Sequence, residues 1–78
     1  MAVNVKVLWF GAAQEIAGTA EEEFTAEDTE TLRGQMIIKH PGLVTITFRL
    51  ALNGSLLKED SPLKKNDIIA VLPPFAGG

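Results

Sequence analysis

Residues 68–78 read IIAVLPPFAGG, and this stretch decides how the rest of the chain is arranged. Its first five residues, Ile68 to Leu72, are apolar and mostly β-branched, which is typical of a central strand buried on both faces. Pro73 and Pro74 then fix φ and lack N–H donors, so a strand that reaches Leu72 ends there. The sequence therefore predicts a central strand followed by a stiff, unpaired tail.

The tail beyond Phe75 contains only small residues, Ala76, Gly77 and Gly78. Glycine has no Cβ, so this backbone fits where a side chain would not. The α-carboxylate of Gly78 is ionised at neutral pH. We interpret residues 73–78 as an extended tail with a slim reactive end, built for insertion into a narrow site, and residues 1–72 as one folded domain. A disordered end without a role is the alternative.

Composition excludes several classes of function. The chain has 78 residues and no cysteine, so we expect one domain without disulfides, cysteine-based metal sites or a thiol nucleophile. A net charge of −3 with scattered Lys and Arg disfavours nucleic-acid binding. No run approaches the roughly 20 apolar residues that span a membrane, and no signal-peptide pattern is present. We expect a cytoplasmic protein that binds neither nucleic acid nor membrane.

Two strands are predicted before the main helix. Across residues 3–10, valines alternate with other residues and, together with Trp9, are expected to face the core. Residues 21–25, EEEFT, are predicted to form a polar edge strand with Phe24 pointing inward. The glutamates of that strand are expected only to keep the edge solvated.

Two helices are predicted. Ala12–Ala17 consists of good helix formers and is stopped by Gly18 at a C-cap position. The main helix begins near Asp28, a good N-cap residue, and ends near His40 before a Pro-Gly pair. Its apolar stripe consists of Leu32, Met36 and Ile37. Gly34 inside this helix is unfavourable, and close packing against the sheet is the reason we expect for it.

The second half of the chain is predicted to be rich in strands. Arg49–Asn53 is a third strand, and Asn53-Gly54 is a strong signal for a two-residue hairpin that leads into Ser55–Leu57. Residues 61–63 are expected to form a short helical turn. A turn at Asn66-Asp67 then leads into the last strand.

The order and strength of these elements indicate an α+β fold. The first and last strands are the most hydrophobic, and a single long helix must cover one face of the sheet. The economical arrangement is a mixed sheet with these two strands paired at its centre. The sequence thus predicts the β-grasp, or ubiquitin-like, architecture.

No residues form a recognisable catalytic or metal-binding group. His40 is the single histidine and is expected to be a solvated residue at the helix end. Ser55 and Ser61 have no partner that would make either a nucleophile. A chain this small has little room for a closed pocket that would perturb its carboxylates. We expect no self-contained enzyme, and the carboxylate of Gly78 is the group left with an unusual presentation.

Over nearly its whole length the chain resembles the MoaD/ThiS family of ubiquitin-like sulfur carriers. The matching segments are Val5–Gly11, Gln14–Gly18, Thr31-Leu32, Lys39–Pro41, Leu43, Leu52–Gly54, Pro62-Leu63, Asp67 and Pro73–Gly78. The Pro-Pro ending is closer to the MoaD branch of the family than to the ThiS branch. One departure is the run LVTIT at residues 43–47, which is more β-like than the family pattern.

This resemblance implies a sulfur carrier that serves as the small subunit of a molybdopterin synthase. It implies that an E1-like enzyme of the MoeB class uses ATP to adenylate Gly78. A sulfur donor of the cysteine desulfurase or rhodanese type then converts Gly78 to a thiocarboxylate. A MoaE-like large subunit takes the tail, and sulfur passes to cyclic pyranopterin monophosphate during molybdenum cofactor biosynthesis. The chain itself would bind no cofactor and would not be catalytic alone.

Two classes of alternative remain. One is a ubiquitin-like modifier, or a sulfur carrier for tRNA thiolation or thiamine synthesis, which would share the activated tail but use another acceptor. The other is a non-catalytic β-grasp interaction domain with an inert end, which would keep its activity without Gly77 and Gly78.

An interface is predicted beside the tail. Phe10 and Leu72 lie near the ends of two adjacent strands, and alternation points Phe10 away from the core beneath the helix. The opposite sheet face has no second helix to cover it, and exposed apolar surface usually marks an interface. The alternative is that Phe10 only wraps a sheet edge. The expected partner-binding residues are Phe10, Leu56, Leu72, Pro73, Pro74, Phe75 and Ala76.

Overall fold

The computed structural model describes residues 1–74, which form a five-stranded sheet and three helical segments. The elements are β1 (Val3–Trp9), α1 (Gly11–Ala17), β2 (Glu21–Ala26), α2 (Thr29–Lys39), a 3₁₀ helix (Pro41–Thr45), β3 (Arg49–Leu52), β4 (Ser55–Leu56) and β5 (Ile68–Leu72). Neither α1 nor α2, the two α-helices within this part of the chain, is long and apolar enough to cross a membrane.

The sheet has the strand order β2-β1-β5-β3-β4. The first and last strands run parallel at its centre, with Leu8 opposite Ala70. The other neighbouring pairs are antiparallel. The predicted pairing of β1 with the last strand and the predicted edge position of β2 are therefore confirmed.

The core lies between one face of the sheet and the helices. Val5, Val7 and Trp9 of β1 are almost completely buried, as their alternation predicts. Leu32 and Met36 of α2 pack against them and are fully buried. Burying a side chain of this size contributes about 1.5–3 kcal/mol relative to leaving it exposed. This layer holds α2 on one face, and within residues 1–74 no helix covers the other face of the sheet.

Both α-helices begin and end close to the predicted residues. Gly18 takes the left-handed conformation at the C-cap of α1, with φ of 76°. Asp28 caps α2, and its side chain accepts a hydrogen bond of 2.7 Å from the Thr31 amide. The reason proposed for Gly34 is wrong, because Gly34 is exposed and a Cβ added there would meet no atom within 4 Å.

Gly34→Ala is expected to stabilise the protein by about 0.5–1 kcal/mol, because it removes backbone freedom from the unfolded chain without a clash. Denaturant unfolding measures the change. Gly18→Ala is the matched control, since Gly18 also has open space around it but holds a positive φ. Gly18→Ala should therefore destabilise. A loss of stability in both variants would contradict this account of Gly34.

The structure of the loops agrees with the sequence analysis at one turn and differs from it in two segments. Asn53 and Gly54 have φ of 48° and 90°, which confirms the tight hairpin. The β-like run at residues 43–47 is not a strand, since its first three residues complete the 3₁₀ helix. Residues 61–63 are not helical either. Pro62 forms an extended bridge with Asp28, and this pairing takes the backbone groups that a helical turn would use.

The expectation that β5 is buried on both faces is wrong. Ile69 and Val71 point into the core and are fully buried, but Ile68 on the other face is 43% exposed. Ala70 and Leu72 share that face and are half-buried. Both α-helices lie on the core side of the sheet. The central strand β5 therefore presents a row of partly exposed apolar side chains on the other face, which we call the open face.

Candidate functional site

The candidate site is the open face of the sheet together with the point where the tail leaves it. β5 ends at Leu72, which is half-buried. Pro73 follows it outside the strand and is also half-buried, whereas Pro74 is exposed. The other predicted tail residues lie outside the described residues; they are Phe75, Ala76, Gly77 and Gly78.

A groove of about 490 Å³ lies beside the root of the tail. Its walls come from the start of α1, the segment that leads into β3, and the end of β5. Most of the lining is apolar and includes Phe10, Ala13, Ile46, Phe48, Leu72 and Pro73. The structure thus brings Phe10 and Leu72 together at the place where the tail begins, which is a suitable geometry for holding a partner against the tail.

The open face continues from this groove across the sheet. A row of residues in register runs from Leu8 through Ala70 and Ala51 to Leu56. Leu56 is 48% exposed, and Phe10, which follows β1 with extended backbone, is 42% exposed. The structure therefore places Leu56 on the same face as the predicted patch, but at its far edge on β4. Binding of a partner to these residues remains a prediction.

Three apolar residues of this region were missed in the sequence. Ile68 shares the face of Ala70, and alternation within β5 was the signal that could have revealed it. Ile46 and Phe48 line the groove, but they stand in a segment without regular structure. No sequence pattern would have placed them beside Phe10.

A separate polar cluster lies on the core side and corrects two expectations. Oε1 of Glu22 accepts hydrogen bonds from Nε1 of Trp9, at 3.2 Å, and from the His40 ring, at 2.8 Å. Oε2 of Glu22 pairs with the Lys39 ammonium. The His40 side chain is only 13% exposed and stands edge-on to the Trp9 ring. Glu22 is thus not a merely solvating residue, and His40 is not solvated.

The reason for this cluster is strand alternation. In β2, Phe24 points toward α2, so Glu22, two residues earlier, points the same way. Because α2 ends beside it, Lys39 and His40 meet the carboxylate there. Burial by itself would raise the pKa of Glu22, but hydrogen bonds and positive charge from Lys39 and His40 outweigh burial and lower this pKa below its usual 4.5.

Acid is expected to weaken the fold through Glu22. Since the pKa of Glu22 is lower in the folded state, its contribution is fully present above about pH 4.5 and is lost as pH falls through the folded value. Glu22→Gln should flatten the fall in unfolding free energy between roughly pH 6 and pH 3. Denaturant unfolding across that range measures this. The control is Glu23→Gln, an exposed neighbour, and equal curves for both variants would contradict the role of Glu22.

Within residues 1–74 no group of three or more His, Cys, Asp or Glu side chains is arranged to hold a metal ion. The features that stand out chemically are the apolar groove, the open sheet face and the tail root that they flank. This arrangement suits the presentation of a chain end to another protein.

Comparison with known proteins identifies similar chains that this one matches over nearly their whole length. A family model described as the ThiS family matches residues 7–78. The molybdopterin synthase sulfur carrier subunit of Chlamydomonas reinhardtii is 36% identical, and the alignment covers 97% of this chain and 100% of that one.

Solved structures agree with the fold. Small archaeal modifier protein 1 of Methanosarcina acetivorans superposes with a TM-score of 0.86 at 26% identity, over 100% of this chain and 99% of that one. A chain from the Helicobacter pylori complex of subunits 1 and 2 of molybdopterin-converting factor has a TM-score of 0.72 at 30% identity, over 97% and 100% of the two chains. These likenesses confirm the β-grasp architecture.

Proposed function

Because the chain belongs to the ThiS family, we propose that it is a sulfur carrier and acts as the small subunit of a molybdopterin synthase. The observation that carries this proposal is the match over nearly the whole chain to a relative of that name. The open apolar face beside the tail root supports the proposal, because a carrier must hold its tail against a partner. The carrier is a donor subunit and does not catalyse the reaction alone.

The reacting group in this proposal is the α-carboxylate of Gly78. A carboxylate is a poor electrophile because its negative charge repels nucleophiles. Adenylation by an E1-like enzyme joins the carboxylate to AMP and releases pyrophosphate from ATP. The outer sulfur of a persulfide on a donor of the cysteine desulfurase or rhodanese class then displaces AMP and forms an acyl disulfide. A thiol cleaves the S–S bond of this intermediate, forms a disulfide with the donor cysteine and releases the thiocarboxylate. Transfer of this sulfur to cyclic pyranopterin monophosphate, with water supplying the replacement oxygen, returns Gly78 to the carboxylate.

In this proposal residues 1–74 bind the partner protein and direct the tail toward it. Pro73 and Pro74 cannot extend the β5 ladder, so they direct the chain away from the sheet. A MoaE-like large subunit seated on the open face would receive the tail in its own active site. The Helicobacter pylori complex of two converting-factor subunits supports a partner of this kind. The E1-like enzyme would use the same face at another time, since it must reach the same chain end.

Intact-mass measurement tests this function. The full chain is incubated with the E1-like enzyme, ATP and a sulfur donor, and the expected product has one oxygen replaced by sulfur. Addition of the large subunit and cyclic pyranopterin monophosphate should return the mass to its starting value and produce molybdopterin. An unchanged mass, with an E1-like enzyme that activates another carrier under the same conditions, would refute the proposal.

A second candidate function is protein modification. The structural likeness to a small archaeal modifier protein favours it, because the same activated tail would then join lysine side chains. Mass spectrometry of tryptic digests distinguishes the two functions. Since Lys65 is the last Lys or Arg of the chain, trypsin would leave residues 66–78 attached to each modified lysine. This remnant on lysines of several proteins would favour modification, and a thiocarboxylate without such remnants favours the sulfur carrier. Transfer of sulfur to tRNA or to a thiamine precursor would be detected in the same thiocarboxylate assay with those acceptors.

A further inference from the structure

The acidic and basic residues of this chain are segregated. Residues 7–32 contain seven of the 10 acidic residues and none of the 7 Lys and Arg residues. The first half of the sheet, with β2 at its edge, is therefore acidic. The basic residues belong to β3, to α2 and to the segment between β4 and β5, apart from Lys6 on β1.

This segregation reaches the open face of the sheet. Glu21 and Glu23 of β2 share that face, in register with Leu8 and Lys6. Lys6 offsets one of the two carboxylates, since its Nζ lies 3.7 Å from Oε2 of Glu21. Glu23 has no cation at ion-pair distance among residues 1–74. The β2 side of the open face is thus negative.

The opposite side of this face is positive. Arg49 of β3 is exposed and in register with Leu72, so it stands beside the root of the tail. No carboxylate within the described part of the chain lies at ion-pair distance from it. An arginine that borders an apolar surface is well suited to a bidentate pair with a partner carboxylate.

We propose that these charges fix the orientation in which a partner protein docks on the open face. The partner has an apolar surface with a carboxylate that meets Arg49 and a basic group that meets Glu23. This inference rests on the proposed function, in which that partner is the large synthase subunit. A partner turned half around would place like charges together, and such contacts are strongly unfavourable. The correct orientation carries the tail toward the partner's active site.

The apolar part of the open face is too extended to fix the orientation of a partner by itself, so charged residues are needed for that. This apolar part lies along both β1 and β5 and reaches β4, and apolar contact has no preferred direction. Charges on the rim act mainly on the association rate and on the choice of orientation. Arg49 and Glu23 are therefore positioning residues and take no part in sulfur transfer itself.

Association rates measured by stopped flow test this inference, with the purified large subunit of the same organism. Arg49→Glu is compared with Arg33→Glu, which makes the same charge change at an exposed position on α2, on the opposite side of the protein. Glu23→Lys is compared with Glu30→Lys, also on α2. Arg49→Glu and Glu23→Lys, the two variants on the open face, should each associate with the large subunit about tenfold more slowly than the matching α2 control. The difference should shrink as salt rises from roughly 0.05 M to roughly 0.5 M.

The outcomes separate this inference from the proposed function. If the wild-type chain binds and each face variant behaves like its α2 control, charge orientation is wrong and the carrier function stands. If the wild-type chain does not bind the large subunit, both are overturned. Thermal melting checks that the variants are folded, and Arg49→Gln, which removes charge without reversing it, should give an intermediate rate.

Discussion

Removal of Gly77 and Gly78 is expected to abolish sulfur transfer completely while the fold remains intact. The buried core of the described chain ends at Val71, so the deletion removes no part of it. The shortened chain no longer brings the reacting carboxylate to the partner's active site, where a displacement of even 1 Å can be costly. A reconstituted synthase assay measures the loss, and thermal melting should show no change.

Two controls make this deletion informative. The shortened chain keeps the open face, so it should still bind the large subunit and inhibit the full chain by competition. A variant with extra residues added after Gly78 should also be inactive, because its carboxylate stands at the wrong distance. Full activity of either variant would favour the alternative of an interaction domain with an inert end.

Phe10→Ala is expected to weaken binding to the large subunit by on the order of 2 kcal/mol or more, about thirtyfold in Kd. Phe10 is 42% exposed and borders the groove at the tail root, so its loss should affect the interface more than the core. Leu72→Asp should have a larger effect, since it places a charge in the same groove. Isothermal titration calorimetry measures both affinities.

Ile38 provides the matched control for this experiment. It is 81% exposed on α2, away from the open face. Ile38→Ala and Ile38→Asp should leave the affinity unchanged. If Phe10→Ala binds as tightly as Ile38→Ala, or if Leu72→Asp simply unfolds, the interface is misplaced.

Much of the fold follows from local patterns in the sequence. Alternation in β1, the cap at Asp28 and the Asn53-Gly54 turn each depend on residues close together in the chain, and each agrees with the structure. The central place of β5 follows from its apolar composition. The family resemblance is confirmed over residues 7–78. The alternation, the cap and the turn have in common that neighbouring residues determine them.

The errors have a common physical origin in contacts between distant parts of the chain. Glu22 and His40 are separated by 18 residues, and only the packing of α2 beside β2 brings them together. Pro62 is extended because it pairs with Asp28, which no local signal reveals. The apolar composition of β5 suggested that both of its faces were buried. Burial of each face depends, however, on where the helices pack against the sheet. The groove was missed for the same reason.

The parallel pairing of β1 with β5 determines the order in which this protein can fold. Leu8 and Ala70 are neighbours in the sheet but stand 62 residues apart in the sequence. During synthesis β1 leaves the ribosome first and has only β2 to pair with until β5 appears. Closing so long a loop has an entropic cost that must be met before the central contacts form. We therefore expect the sheet to close only when the last strand is available, and a chain interrupted before β5 to expose the apolar side chains of β1 to aggregation and proteolysis.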